Sequence, residues 1–227
     1  MTVRTVIFDW GGTLTPWHTI DHEALWHGVC AQHYPGAEAA AAARAIYQAE
    51  LALWQSISSS QQSATLAHVF EHAGVTVPDG LLASYFQAWE PHTVTDPDVP
   101  ALLRELRHRG VRIGVLSNTM WPRSAHDGFF VRDQVLDLID GTVYSSELPW
   151  TKPHPEVFRA AMAAVGEHDP GACVFVGDRP FDDVYGAKAI GMRAVLITNS
   201  AVPPFEAATP DATITRLSEL LAHLERW

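Results

Sequence analysis

The 227-residue chain is 47% hydrophobic and 18% charged, a balance that supports a buried core and excludes a disordered chain. Its formal net charge of −11 opposes nucleic acid phosphates and anionic lipid, so neither is expected as a partner. No apolar run reaches 18 residues, so no membrane span is expected, and the apolar stretch broken by Asp9 does not read as a secretory signal.

In chain order, VRTVIF (residues 3–8) is a β-branched apolar run of the kind buried on both faces of a parallel sheet. It ends at Asp9 and a turn containing Gly11, Gly12 and Thr13. Residues 17–90 then hold no strand run; amphipathic spacing predicts about four helices, with turns near Tyr34-Pro35-Gly36, Ser58 to Ser60, and Gly74 to Gly80. ALLRELRHRG predicts a helix with Asp98 as N-cap and Gly110 as stop. Strand runs follow at Val111 to Leu116, Gly141 to Ser145, Ala172 to Val176 and Arg193 to Thr198. Between them lie a helix opened by Pro155 and closed by Gly166, and another closed by Gly191. AVPPFEAATP (residues 201–210) reads as a surface loop before a last strand and helix. Cys30 and Cys173, the only cysteines, lie in unlike contexts and are expected as free buried thiols of a reducing cytoplasm.

Alternating strands and helices predict an α/β fold: a doubly wound parallel sheet with helices on both faces. Residues 1–16 and 92–227 form this core and 17–91 an inserted helical cap. A cap placed after the first strand sits over the C-terminal edge of the sheet, where open parallel sheets bind ligands.

Polar residues gather at the predicted strand ends. Asp9 follows the first strand, on a turn whose N–H groups can face an anion. Ser117 and Asn118 follow the second, with groups able to donate to phosphate oxygens. Lys152 precedes the Pro155 helix and can neutralise an anion. Asp178, Asp182 and Asp183 crowd the end of the fourth strand, where a hard cation relieves their repulsion. Helix capping accounts for Asp182 or Asp183 but not for Asp178, which sits beside Gly177.

Taken together and in order, these segments resemble the haloacid dehalogenase-like hydrolase superfamily, in its helical-cap branch. FDWGGTLT is similar to its first motif, LSN to its second, TKPHPEVF to its third and VGDRPFDDVYGAKAIGM to its fourth. The resemblance implies that Asp9 attacks phosphorus of a small phosphorylated metabolite and forms an aspartyl-phosphate. It implies Mg²⁺ on Asp9, the Gly11 carbonyl, Asp178 and Asp183. It further implies catalytic work by Asp9 and Lys152, and phosphate contacts or loop ordering by Gly12, Thr13, Ser117, Asn118 and Lys152.

One position departs from that pattern. The family's phosphatases usually carry a second aspartate, a general acid–base, two residues after the nucleophile; here it is Gly11. Such a group contributes roughly 10² to 10⁴ in rate, about 3 to 5 kcal/mol. A phosphatase lacking it is expected to prefer good leaving groups, and His18 or His22 are candidates to replace it. Two other readings follow from the same gap. One is a metal-free carbon–halogen hydrolase, whose early halide-binding arginine has its first candidate here at Arg44. The other is a catalytically silent ligand-binding protein. Trp10, Trp17, Trp121 and Trp150 fall beside the motifs, either as an apolar wall for the leaving group or as packing at the core–cap boundary.

Overall fold

The computed structural model describes residues 3–198 and 205–227. The opening run forms β1 (Thr5–Phe8), buried at all four positions. Successive strand side chains point to opposite faces: Val6 and Phe8 join one hydrophobic cluster, Ile7 another. A strand covered on both sides has no place for polar alternation, hence its continuous apolar sequence.

β1 pairs in parallel with β2 (Arg112–Ser117) and with β4 (Cys173–Gly177). Adding β3 (Gly141–Tyr144), β5 (Arg193–Ile197) and β6 (Ala212–Ile214) gives a parallel sheet of order β3-β2-β1-β4-β5-β6. Helices cover both faces. Residues of α5 (Val99–His108), α6 (Arg123–Arg132) and α9 (Leu220–Leu224) enter the cluster containing Val6 and Phe8. Residues of α7 (Pro155–Ala164) and α8 (Gly186–Ala189) enter the one containing Ile7. The chain winds outward in opposite directions from β1 and β4, so the switch point of the topology lies between them.

Four helices lie between β1 and α5: α1 (His22–Cys30), α2 (Gly36–Ser60), α3 (Leu66–Ala73) and α4 (Leu81–Trp89). They build a third cluster around Trp26, Ile46, Val69 and Leu81, which also takes in Met120, Trp121 and Phe129 from the segment after β2. Trp10 touches this cluster and that of the sheet, joining the two layers just past Asp9.

One local reading fails and another holds only in part. Ser58 to Ser60 do not form a turn but belong to the last turn of α2, their hydroxyls bonding back to the carbonyls of Trp54 and Ser56. The helix stops instead at Gln61, with φ +58°. Asp98 does hold the N-cap position of α5, but its side chain caps no helical N–H; its carboxylate accepts hydrogen bonds from Arg216 and Ser218 instead. Of the loop expected over 201–210, residues 201–204 lie outside the described residues; β6 and α9 follow it. Among the described residues no helix is long and apolar enough to cross a membrane.

Candidate active site

The register places the polar strand ends side by side. Phe8 pairs with Val115 of β2 and Val176 of β4, so Asp9 emerges level with the ends of both. Its N–H donates to the Val176 carbonyl at 2.8 Å. The chain then turns sharply: the N–H groups of Thr13, Leu14 and Thr15 all reach the Trp10 carbonyl. Gly12 has φ +83°, and a Cβ there would stand 2.5 Å from Asp178 Oδ2, so only glycine lets this turn lie against β4. Gly11 is different: its φ is not left-handed and a Cβ would meet nothing within 4 Å.

Lys152 is the centre of the charge arrangement. Its Nζ donates to Asp9 Oδ1 at 2.6 Å and to Asp183 Oδ1 at 2.7 Å, with all three side chains almost wholly buried. Burial opposes the ammonium charge, but Asp183 and Asp9 outweigh it and hold Lys152 above its ordinary value. Burial pushes the Asp183 carboxyl well up; Lys152 opposes this, and Asp9 and Asp178 add to it. Oxygens of Asp9, Asp178 and Asp183 lie within 4.8 Å of one another.

Asn118 fixes the lysine. Its Nδ2 donates to the Lys152 carbonyl at 3.1 Å and its Oδ1 accepts the Lys152 N–H at 2.8 Å. The side chain is thus committed to holding the loop that carries Lys152. Ser117 is buried and lines the cavity above Asp9. The buried Thr13 hydroxyl finds no hydrogen-bond partner among the described residues. Asp183 is presented by a π-helical turn (Pro180–Tyr185), and its Oδ2 accepts the Arg179 N–H at 2.8 Å. A Cβ at Gly177 would collide with the Asp183 side chain, which explains the glycine at the end of β4. Asp182 lines the same cavity but is not one of the three clustered carboxylates.

The cavity over this cluster measures about 840 Å³, a size suited to a small organic ligand. Trp10, Trp17 and Trp121 line it; Trp150 does not, and stacks on His154 at 4.3 Å. Trp121 is nearly buried and meets Trp10 and Trp89, so it also packs the boundary between the layers. His18 and His22 both line the cavity. Arg44 is exposed on α2 and is not part of the lining.

Two charged lining residues that bear on the site escaped the sequence reading. Arg179 places Nε 3.6 Å from Asp178 Oδ2 and lays its guanidinium over the Trp17 ring at 4.9 Å. Its position directly after Asp178 was the available signal. Glu50, on α2, is buried in the cavity roof, and nothing in its local sequence marks it.

The chain resembles known proteins over most of its length. Phosphoserine phosphatase of Thermus thermophilus is 32% identical over 124 residues, covering 55% of this chain and 49% of that protein. Phosphoglycolate phosphatase of Cereibacter sphaeroides is 33% identical over 121 residues, covering 52% of each. The matches span about half the length of these curated relatives. Among solved structures, a phosphatase from Thermococcus onnurineus superposes with TM-score 0.70 at 24% identity, covering 98% of both chains. The 2-haloacid dehalogenase of Pseudomonas syringae pv. Tomato also gives 0.70, at 23% identity over the full length of both. At those identities the likeness is one of fold. The haloacid dehalogenase-like hydrolase model matches residues 3–191, in keeping with the sheet order and the strand-end cluster, and the chain belongs to that hydrolase family.

Proposed function

We propose that the protein is a magnesium-dependent phosphatase or phosphotransferase acting on a small phosphorylated metabolite through Asp9. The observation that carries this reading is the buried Lys152 ammonium bridging Asp9 and Asp183, with Asp178 alongside, at the switch point of the sheet. The carboxylate cluster fits a hard divalent ion: three buried acidic side chains face one another, and only Gly12 leaves room for Asp178. Asp9, Asp178, Asp183 and the Gly11 carbonyl would hold the ion. When bound, it would offset the negative charge of cluster and phosphate. The named phosphatase relatives support a phosphoester substrate, and exposed Arg44 gives the dehalogenase reading no halide ligand.

The chain's own residues divide the work as follows. Lys152 holds Asp9 Oδ1, which directs Oδ2 toward phosphorus. Oδ2 forms the new P–O bond as the bond to the leaving oxygen breaks. Lys152, with Ser117 and the turn at Gly12 and Thr13, steadies the phosphoryl oxygens. Asn118 acts through Lys152, keeping its backbone in place. Water then attacks the aspartyl-phosphate, releasing phosphate and restoring the Asp9 carboxylate. With Gly11 offering no proton, leaving groups that depart as stable anions are favoured.

The division of the chain into a core (1–16 and 92–227) and a cap (17–91) belongs to this reading, since the cavity lies between residues of both. So does a cytoplasmic location, for which the free, buried Cys30 and Cys173 speak. The direct test is incubation with acetyl phosphate and Mg²⁺, followed by mass mapping. A phosphoryl adduct on Asp9, absent in Asp9→Asn, is expected; turnover that survives Asp9→Asn would overturn the proposal.

A further inference from the structure

The cavity roof carries a charge that the phosphate chemistry leaves unused. Glu50 is 5% exposed, deep in the longest helix, yet it lines the cavity. Trp26 Nε1 donates to its Oε2 at 2.8 Å. Its other oxygen, Oε1, has His22 Nδ1 at 3.9 Å, beyond hydrogen-bond distance, and no lysine or arginine pairs with it among the described residues. Burial pushes this carboxyl up, against the hydrogen bond from Trp26, the charge of His22 and a second hydrogen bond from the Trp54 side chain. A buried carboxylate whose nearest cationic side chain is a partly exposed histidine at 3.9 Å stays short of positive charge, and a cationic ligand would supply it.

The surroundings narrow the kind of cation. Trp54, Tyr85 and Trp89 line the same cavity. Tyr85 is locked in place by stacking on Trp26 at 4.3 Å, and Trp89 meets both Tyr85 and His22 edge-on. Aromatic side chains around a carboxylate suit an organic ammonium, whose charge is spread over alkyl groups. A metal ion would want more oxygen ligands than one carboxylate supplies.

We infer that the roof built by Glu50, Trp54, Tyr85 and Trp89 binds an alkylammonium group, so that the substrate is a phosphate monoester of an amino alcohol. This rests on the phosphatase reading for the ester, but the cation site stands on its own geometry. Phosphate at the Lys152 end and ammonium at the Glu50 end give the cavity two opposite anchors. A zwitterionic ester matches both, whereas a neutral alcohol leaves Glu50 uncompensated.

The experiment compares three esters in Mg²⁺ near neutral pH: 2-aminoethyl phosphate, 2-(trimethylammonio)ethyl phosphate and 3,3-dimethylbutyl phosphate, the uncharged shape-mate of the second. At least one cationic ester is expected to exceed the neutral one about tenfold in kcat/KM, chiefly through KM. Glu50→Gln, which keeps an acceptor for Trp26, is expected to level that ratio, and Glu50→Asp to retain part of it. Equal use of all three esters by the wild type, or a Glu50→Gln loss falling equally on every ester through kcat, overturns the inference. A second readout needs no phosphate: tetramethylammonium chloride titrated against tryptophan fluorescence and melting temperature, with sodium chloride as control. Saturable binding lost in Glu50→Gln supports the site, and its absence in the wild type sinks it. If no ester is hydrolysed, p-nitrophenyl phosphate included, the phosphatase reading fails alone, and the tetramethylammonium titration decides the roof.

Discussion

The floor and the roof of the cavity handle buried charge in opposite ways. On the floor, Asp9 and Asp183 share the Lys152 ammonium at 2.6 and 2.7 Å, and Asp178 has the Arg179 guanidinium 3.6 Å away. In the roof, Glu50 has the indoles of Trp26 and Trp54 and a histidine 3.9 Å away, but no lysine or arginine among the described residues. The floor is therefore organised before any ligand arrives, with glycines at 12 and 177 admitting the close approaches. The roof stays incomplete until something positive enters. Chemistry that must be the same for every turnover gains from the first arrangement, and choice among substrates gains from the second.

The largest effect is expected from breaking the floor. Lys152→Met removes the counter-charge shared by Asp9 and Asp183. Turnover of any phosphoester should fall by roughly 10² to 10³. Metal-free stability, measured by urea unfolding, should drop by about 3–5 kcal/mol, because buried carboxylates lose their partner. Mg²⁺ should then raise the melting temperature more in the variant than in the wild type. An unchanged unfolding midpoint would mean that the floor does not depend on this bridge.

Next comes the one floor position left bare. A Cβ at Gly11 meets nothing within 4 Å, and its φ is not left-handed, so Gly11→Asp fits without strain. The kcat on alkyl phosphates should rise about 10²-fold, with much less gain on acetyl phosphate, whose leaving group needs no proton. A uniform fall on both would show that another group already serves as acid–base. His18 and His22, both in the lining, are then the residues to replace.

A smaller effect separates the layers by pH. His126 is buried between Trp10, Trp121 and Tyr144, and burial, with some help from Arg123, lowers its pKa to about 3. The unfolded chain accepts that proton near 6.5, while the folded one refuses it until about 3. Stability from this site is complete above 6.5 and declines as pH falls toward 3, by on the order of 1 kcal/mol per pH unit. Relative to wild type, His126→Phe should therefore gain melting temperature steadily on acidification; parallel curves would disprove the assignment.

The smallest expected effect contrasts two tryptophans. Trp17 lies under the Arg179 guanidinium in the cavity, whereas Trp150 stacks on His154 outside its lining. Trp17→Ala should raise KM about threefold through loss of that cation–π contact. Trp150→Ala should leave KM unchanged, and a matching shift in both would place Trp150 nearer the ligand than its stacking implies.

What the sequence by itself determined is the sheet and the polar residues at its strand ends. A strand buried on both faces must be apolar throughout, so VRTVIF and its counterparts stand out, and residues directly past their ends inherit a known location. Asp9, Ser117, Asn118 and Asp178 were legible for that reason, and Lys152 and Asp183 through the motif segments TKPHPEVF and VGDRPFDDVYGAKAIGM. Only the tertiary structure decided how they are used: that Asn118 holds Lys152 through its backbone, and that Asp183, not Asp182, joins the carboxylate cluster. Asp98 takes the expected N-cap position, but its carboxylate turns to Arg216, 118 residues away, rather than to the helix end, which the local sequence does not show. Glu50 was invisible for the same physical reason. A helix shows its neighbours three and four residues away in the sequence, but the indole of Trp26, the rings of Tyr85 and Trp89, and the cavity itself are brought to Glu50 only by folding.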